Sequence, residues 1–207
     1  MKRIVLATHN QGKVRELQAM LAGLGIAVQS LADFPEIGEI PETGDTFEEN
    51  ARIKALAVCR LTGLTALADD SGLAVDALDG APGVYSARYS GENATDAKNN
   101  EKLLAAMKDV PDALRGCRFV SVVAIERPDG QEFICRGEWP GRLARAPRGH
   151  NGFGYDPLFV DPEIGLSAAE MNPEQKNERS HRGRAVRQAV KHLAEFLAAD
   201  FPAGTQG

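Results

Sequence analysis

Apolar and polar residues follow two different periods in the first part of the chain, and the changes of period predict strand, helix, strand and helix. Residues 3–8, RIVLAT, form a short apolar run typical of a buried strand. The next apolar residues recur at intervals of three and four, as on one face of a helix: Val14, Leu17, Met20, Leu21 and Leu24. A second strand is predicted around residues 26–31 and a second helix over residues 46–61.

Local residues predict where these helices begin and end. Gly23 and Gly25 follow the first helical pattern and are expected to end it. The second helix opens on Thr46, and Glu49 three residues later completes the sequence of a capping box. Gly63 then provides a stop for the second helix.

The middle of the chain is predicted to hold a short buried strand and a helix with an irregular segment between them. Residues 65–68 are apolar and lead into DDSG, which has the composition of a turn. Residues 73–91 are rich in small residues and follow neither period. Residues 94–110 have a helical pattern that Thr95 is expected to cap.

The last part of the chain predicts a hairpin, a glycine-rich loop and two helices. Residues 118–139 form two strand-like runs joined by a Pro-Asp-Gly turn. The glycine-rich loop begins at residue 145 and leads into a short apolar strand that ends at residue 160. Asn172 and Pro173 suit the cap and first position of a short helix. The last helix is predicted over residues 184–199.

Because strands and helices alternate first and a hairpin follows, the pattern predicts an α/β protein with a mixed β-sheet core and flanking helices. The long irregular segments are expected to separate two lobes around a cleft. We therefore expect one two-lobed domain over residues 1–200 and a loose C-terminal tail over residues 201–207.

Composition and charge narrow the function classes. Of 207 residues, 43% are hydrophobic and 26% charged, as in ordinary soluble domains, and no apolar run is long enough to span a membrane. We therefore expect no membrane association, and no targeting peptide, because only the short run IVLA follows Lys2 and Arg3. The net charge of −5 disfavours binding of a nucleic acid polymer. Cys59, Cys117 and Cys135 form no metal or disulfide pattern, so we expect a reducing cytoplasm.

The polar turn HNQGK, residues 9–13, joins the first strand to the first helix. One interpretation is structural, with Asn10 and Gly12 turning the chain and capping the helix. The other is an anion site, because free N–H groups at a helix start carry partial positive charge and Lys13 adds a full charge. Residues 9–13 alone leave both interpretations open.

The segment ADDSG, residues 68–72, is the strongest candidate for chemistry. Side chains alternate across a strand, so Asp69 and Asp70 diverge unless the chain turns between them, as Ser71 and Gly72 indicate. A carboxylate at a strand end is suited to binding Mg²⁺ or to accepting a proton from water. An acidic turn without a function is the alternative.

The start of the second helix is rich in polar groups. Glu48 and Glu49 precede Asn50, Arg52 and Lys54, a set that suits a metal-bound phosphate. The capping box explains Glu49 without any function.

A glycine-rich segment, residues 149–157, is a candidate for contact with a flat ring. Its glycines allow the backbone to approach a ligand closely, and Phe153 or Tyr155 can stack on a base. The alternative is a loop with one buried aromatic residue.

A basic run, residues 175–187, precedes and enters the last predicted helix. Such a run is usually the solvated face of a helix. Residues 180–183, SHRG, nevertheless lie before the helix, where donors are held in place. Ser71 and His181 allow a serine-hydrolase triad on paper, but the chain has no nucleophile elbow.

Taken together, five segments resemble the inosine triphosphate pyrophosphatase family, the Ham1-like enzymes of non-standard purine nucleoside triphosphates. They span almost the whole chain in the family's order: THNQGK, ETGDTFEENARIKA, ADDSGLAVDALDGAPGVYSARYSG, GFGYDPLF and SHRGRA. The resemblance implies Mg²⁺-dependent hydrolysis of ITP, dITP and XTP to the monophosphate and pyrophosphate, which cleanses the nucleotide pool. It further implies a homodimer, with a mixed sheet and two lobes around a nucleotide-binding cleft.

The resemblance also assigns site residues by motif. Asp70 matches the catalytic carboxylate and metal ligand of the family. The substrate-binding positions are implied to be Thr8, His9, Asn10, Gln11, Gly12, Lys13, Ser71, Phe153, Gly154, Tyr155, Asp156, Lys176, His181 and Arg182. The chain departs from the family at His9, where many members have Gly, and at Pro41-Glu42, where many have two acids.

Two other functions stay open at this point. A non-catalytic nucleotide-binding or RNA-binding module would use the basic run at residues 175–187. A pyrimidine triphosphate hydrolase would use the same phosphate turn with another base.

Overall fold

The computed structural model describes residues 2–198, and these form one mixed β-sheet with helices on both faces. The strands follow one another along the chain as β1 Lys2–Leu6, β2 Ile26–Ser30, β3 Thr65–Val75, β4 Gly116–Glu126, β5 Glu132–Leu143 and β6 Phe159–Val160. The helices are α1 Gln11–Leu21, α2 Phe47–Thr62, α3 Asp96–Ala106, α4 Pro173–Arg179 and α5 His181–Ala198. The predicted α/β class with a mixed sheet is confirmed.

The sheet is parallel on one side and antiparallel on the other. Its strand order is β2-β1-β3-β4-β5-β6. Strand β1 runs parallel to both β2 and β3, whereas β4, β5 and β6 each run antiparallel to their neighbour. Helices α1 and α5 pack on one face of the β1–β3–β4 region, and α2 packs on the other.

The capping signals predict the helix starts well. Thr46 and Glu49 form the capping box of α2, and Gly63 ends this helix with a positive φ of 64°. Asn172 caps α4 with Pro173 at its first position, and Thr95 caps α3. Each cap is a local arrangement, which is why sequence alone identifies it.

The predicted turn at DDSG is wrong, because β3 runs straight through it to Val75. Strand β4 pairs with β3 from Ala66↔Glu126 to Val75↔Cys117, so the acidic residues have a continuous antiparallel partner. The first three of residues 73–91 therefore belong to a strand. The rest of that segment includes two 3₁₀ helices, Asp76–Leu78 and Gly83–Arg88.

The predicted stop of the first helix is confirmed: α1 ends at Leu21, and Gly23 and Gly25 adopt positive φ angles. Leu24, assigned to the apolar face of this helix, lies beyond its end and is 40% exposed. The start of α5 differs from prediction. Helix α5 begins at His181, since Ser180 ends α4 in an extended conformation. The predicted tail over residues 201–207 lies outside the described residues, and the division into two lobes stays a prediction. No helix between residues 2 and 198 combines the length and apolar character needed to cross a membrane.

Gly72 is required for space. A Cβ atom at this position would lie 2.4 Å from both the carbonyl oxygen of Gly83 and Oγ of Ser86. The Ser86 hydroxyl itself accepts a bond from the Leu73 N–H at 2.9 Å. Gly72 thus lets the 3₁₀ helix Gly83–Arg88 close over the edge of β3.

Gly72→Ala should lower the free energy of unfolding by about 1–3 kcal/mol, the usual cost of overpacking. Chemical denaturation measures this change. Gly38→Ala is the matched control, because a Cβ atom there meets nothing within 4 Å. Equal stability of the Gly72 variant and the control would contradict the close packing.

Candidate active site

The site is built where β3 extends beyond its parallel neighbour β1. Strand β1 pairs with β3 as far as Leu67, and β3 continues to Val75 with β4 alone as its strand partner among the described residues. The free edge presents backbone groups that need other partners. The Asp69 carbonyl oxygen accepts hydrogen bonds from Nζ of Lys13 and of Lys54, both at 3.1 Å. Two ammonium groups from different helices are thereby brought to one point.

Side chains alternate across β3, so Asp69 and Asp70 point to opposite faces of the sheet. The Asp69 carboxylate is fully buried and lies 2.9 Å from Nζ of Lys13 and 3.1 Å from Nη2 of Arg182. It also accepts hydrogen bonds from the hydroxyls of Ser71 at 3.0 Å and Ser121 at 2.5 Å. Asp69 therefore has partners for both oxygens and links α1 to α5.

Asp70 faces α2 and has fewer partners. Its Oδ1 lies 2.8 Å from Nζ of Lys54. Its Oδ2 is buried without a hydrogen-bond partner among the described residues. A buried carboxylate oxygen without a partner is costly unless a ligand completes it.

The two carboxylates have opposite pKa shifts. Burial acts to raise the pKa of Asp69, but the charges of Arg182 and Lys13 outweigh it and hold that pKa well below its usual range. For Asp70, burial raises the pKa by more than Lys54 and Lys13 offset. Asp69 is thus a fixed anion, and Asp70 is the more basic of the two.

Glu42 joins the Asp70 side of the site. Its carboxylate lies 2.6 Å from Nζ of Lys54 and 3.1 Å from Nη1 of Arg88. In the sequence, Glu42 stood out only as part of a departure from the family pattern. Arg88 was missed, because it lies in the segment predicted to be irregular. Lys54 is therefore held by three acceptors: the side chains of Glu42 and Asp70 and the Asp69 carbonyl.

The other polar residues at the start of α2 serve structural roles. Glu49 accepts the Thr46 N–H in the capping box, and Glu48 pairs with Arg136 at 2.6 Å. Arg52 pairs with Glu132 at 2.7 Å on the surface. Asn50 accepts the Gly44 N–H at 2.8 Å. Among the polar residues proposed at the start of α2, Lys54 is the one that contacts the carboxylates of Glu42 and Asp70.

A second group of charges lies on the α1–α5 side. Nζ of Lys176 is 2.7 Å from Glu16 and 2.6 Å from Asp156. Arg182 pairs with the other oxygen of Glu16 and donates to Oγ of Ser71 at 2.9 Å. Glu16 therefore holds both cations at once. Sequence reasoning missed it, although its position three residues after Lys13 on a helix was a usable signal.

The ring of Phe153 lies against this pair of cations. Its centroid is 4.8 Å from Nζ of Lys176 and 5.6 Å from Cζ of Arg182. A Cβ atom at Gly12 would come within 2.6 Å of the ring. Gly12 therefore serves the site by leaving room for Phe153.

A pocket opens between the β3 edge and the Phe153 loop, and ten of the predicted site residues line it. They are Asn10, Lys13, Ser71, Phe153, Gly154, Tyr155, Asp156, Lys176, His181 and Arg182. The predicted residues outside its lining are Thr8, His9, Gln11, Gly12 and Asp70.

The turn residues outside that lining shape the start of α1. Oγ1 of Thr8 accepts the Asn10 N–H at 3.2 Å, and Asn10 in turn caps α1 by accepting the Lys13 N–H at 3.1 Å. The His9 ring nitrogen lies 3.3 Å from the Gly38 carbonyl oxygen. Gln11 is exposed as the first residue of α1.

Two pocket residues are almost completely buried. The Tyr155 hydroxyl donates to the Ser86 carbonyl at 2.8 Å, so of the two predicted stacking rings, Phe153 is the better placed. His181 stacks on Phe119 with centroids 4.7 Å apart, and its Nδ1 has no partner among the described residues. Burial holds the pKa of His181 well below its usual range, so the ring is neutral.

The last helix lies close to the sheet because Gly137 of β5 has no side chain. A Cβ atom there would meet the His181 carbonyl oxygen at 2.2 Å and the Ala185 nitrogen at 2.6 Å. The first turn of α5, which carries Arg182, is thereby placed at the pocket. The prediction that residues 181–183 precede the helix is wrong, yet their donors are held in place as expected.

The basic run does not form a free cationic surface. Lys176 and Arg182 have the acidic partners described above, and Arg179 pairs with Asp161 at 2.6 Å. Arg184 and Arg187 donate to backbone carbonyls. This arrangement argues against the RNA-binding alternative.

No group of three or more His, Cys, Asp or Glu side chains suited to a metal ion occurs within residues 2–198. The orphaned Asp70 Oδ2 nevertheless fits a cation that takes one protein carboxylate and completes its shell with water and phosphate oxygens, as Mg²⁺ does.

A family model described as the Ham1 family matches residues 4–192. The chain belongs to the Ham1 family. It is 53% identical to a dITP/XTP pyrophosphatase of Nitratidesulfovibrio vulgaris, over 93% of this chain and 96% of that protein. It is 51% identical to a dITP/XTP pyrophosphatase of Streptococcus pyogenes over 94% of this chain, and it spans 60% of that longer protein. A solved structure of a HAM1 protein from Coxiella burnetii matches with a TM-score of 0.85 at 47% identity, over 94% of this chain and 100% of that one.

In this Ham1 family member, Asp69→Asn should lower the free energy of unfolding near neutral pH by about 3–5 kcal/mol, because Lys13 and Arg182 lose a buried counter-charge. The depressed pKa of Asp69 means that its contribution is present above the pKa of an unfolded aspartate, about 3.9, and is lost as the pH falls through the folded pKa. The difference in the free energy of unfolding between variant and wild type should therefore become smaller at acidic pH.

Urea denaturation over a series of pH values measures this gap. The exposed Asp109→Asn serves as the control. A gap that stays constant as the pH falls below the unfolded pKa would contradict the assigned role of Asp69.

Proposed function

We propose that this protein hydrolyses non-standard purine nucleoside triphosphates, ITP, dITP and XTP, to the nucleoside monophosphate and pyrophosphate. Removal of these nucleotides keeps them out of DNA and RNA. The observation that carries the proposal is the buried Asp70, with one oxygen on Lys54 and the other free for a ligand. The names of the relatives support the substrate class.

The phosphate half of the site is assigned to the two lysines and the start of α1. Burial lowers the pKa of Lys13, and the repulsion of Lys54 and Arg182 adds to this effect against the attraction of Asp69. An anion bound between Lys13 and Lys54 relieves that repulsion. The first N–H groups of α1 point out of the helix and add donors. Residues 8–13 are thus proposed to hold the triphosphate.

Asp70 is proposed to accept a proton from the attacking water. Its raised pKa makes it a better base than Asp69, and its free Oδ2 is available for a cation or a water. Asp70 is also the proposed Mg²⁺ ligand, and the bound ion would supply positive charge to offset the charge of the phosphates. Lys54 orients the carboxylate through Oδ1.

The base half of the site is assigned to the Phe153 loop and the Glu16-bound cations. Phe153 supplies a stacking face, and Lys176 and Arg182 supply donors for the 6-oxo group of hypoxanthine and xanthine. Adenine carries a 6-amino donor at that position and is disfavoured. The remaining proposed contacts are Ser71, Gly154, Tyr155, Asp156 and His181.

The family resemblance also leads us to expect a homodimer of two-lobed subunits in the cytoplasm. We expect no nucleic acid polymer and no membrane as partner.

Product analysis tests the proposed function. Purified protein with Mg²⁺ and ITP should release inosine monophosphate and pyrophosphate in equal amounts. Formation of IDP and orthophosphate would overturn the proposal. ITP binding without turnover would instead favour the non-catalytic nucleotide-binding module.

Asp70→Asn should reduce kcat for ITP by about 10²–10⁴-fold, because an amide neither accepts the proton at neutral pH nor binds Mg²⁺ well. Steady-state kinetics measures the loss, and a far-UV spectrum checks the fold. Asp109→Asn is the charge-matched control. A folded variant with a kcat near that of wild type would assign the base to another residue, first of all to Glu42, which shares Lys54 with Asp70.

Arg182→Lys should reduce kcat/KM for ITP and shrink the preference for ITP over ATP. Lysine keeps the charge beside Glu16 and Asp69 but loses the planar fork that contacts two partners together. The values of kcat/KM for ITP, GTP and ATP are to be compared in both proteins. The preference for ITP over GTP should change less, because it depends on the 2-amino group of guanine, which hypoxanthine lacks. An unchanged ITP/ATP ratio would show that Arg182 does not read the 6-position.

A further inference from the structure

Helix α3 holds both backbone hydrogen-bonding groups of Gly154, in the glycine-rich loop at residues 149–157 that we call the base loop. The Gly154 N–H donates to Oδ2 of Asp96 at 2.7 Å. The Gly154 carbonyl oxygen accepts from Nδ2 of Asn100 at 2.8 Å. The two side chains are four residues apart, so they share one face of the helix.

Helix α3 is itself tied to the body of the protein. Thr95 caps its start, and Asn99 donates to the carbonyls of Ser86 at 3.3 Å and Ala87 at 3.1 Å. Asn99 also accepts the Ser90 N–H at 2.7 Å. The Asp96 and Asn100 side chains therefore reach the base loop from a fixed support.

The base loop needs such support because its backbone is rich in glycine. Gly149, Gly152 and Gly154 all adopt positive φ angles, of 79°, 77° and 61°. Glycine segments lose the most conformational freedom on folding. Gly154 is joined to Phe153 by one peptide unit and to Tyr155 by the next, so the orientation of these two units sets where both rings lie. Asp96 also lines the same pocket as these rings.

We propose that Asp96 and Asn100 are positioning residues for purine recognition, which hold the two peptide units on either side of Gly154 so that Phe153 presents its face to the base. The proposal rests on the proposed function for its substrate. The two residues act through the loop backbone rather than through contact with the phosphates.

The kinetic test separates base binding from phosphate binding. Asp96→Ala and Asn100→Ala should each raise KM for ITP about two- to tenfold, the worth of one hydrogen bond, with kcat changed less. Inhibition by inorganic tripolyphosphate, which has no base, should be unchanged. Asp96→Asn should behave like wild type, because its amide oxygen still accepts the Gly154 N–H. Glu101→Ala, an exposed change on the same helix, is the control.

Hydrogen exchange provides a readout that needs no turnover. Peptides covering residues 149–158 should exchange faster in Asp96→Ala and Asn100→Ala than in wild type or Asp96→Asn. Unchanged exchange would overturn the proposal, whether or not the protein hydrolyses ITP. A loss in Asp96→Asn equal to that in Asp96→Ala would also overturn it, because the charge of Asp96 would then act on the substrate directly. If the wild type does not hydrolyse ITP but the two alanine variants still exchange faster, the hydrolase function is refuted. The same result would support the role of Asp96 and Asn100 in holding the base loop.

Discussion

The free edge of β3 is the constraint on which the site depends. Beyond Leu67 the strand has lost its β1 neighbour, yet its backbone groups still need partners. The Asp69 carbonyl meets this need with two ammonium groups, Lys13 from one face of the sheet and Lys54 from the other. The free edge thus brings two ammonium groups to one point, although the chain as a whole carries a net charge of −5.

Because side chains alternate along β3, the two neighbouring carboxylates lie on opposite faces of the sheet and have different partners. Asp69 joins α1 to α5 through Lys13 and Arg182, whose charges compensate its own. Asp70 keeps one oxygen without a partner on the opposite face. Buried ion pairs of this kind cost desolvation and rarely add stability beyond what a well-packed apolar core provides. We infer that the cluster is retained for chemistry.

The parts of the fold that depend on residues close together in the sequence could be predicted from the sequence. The capping box at Thr46 and the hairpin after β4 are local and were predicted correctly. The course of β3 was not, because DDSG has turn composition and the β4 residues that hold it extended lie about fifty positions away. Glu16 was missed for a similar reason, since Lys176 and Arg182 reach it through the tertiary fold. The site list itself came from family motifs, which carry such long-range information.

The central claim is that two adjacent aspartates are separated in basicity by the face of the sheet they occupy. Carbon-13 NMR of the aspartate carboxyl carbons, assigned with Asp69→Asn and Asp70→Asn, measures both titrations directly in the ligand-free protein. Asp69 should stay ionised to a pH well below its ordinary pKa, and Asp70 should titrate above its ordinary pKa. Titration of both groups together, or in the reverse order, would contradict the account.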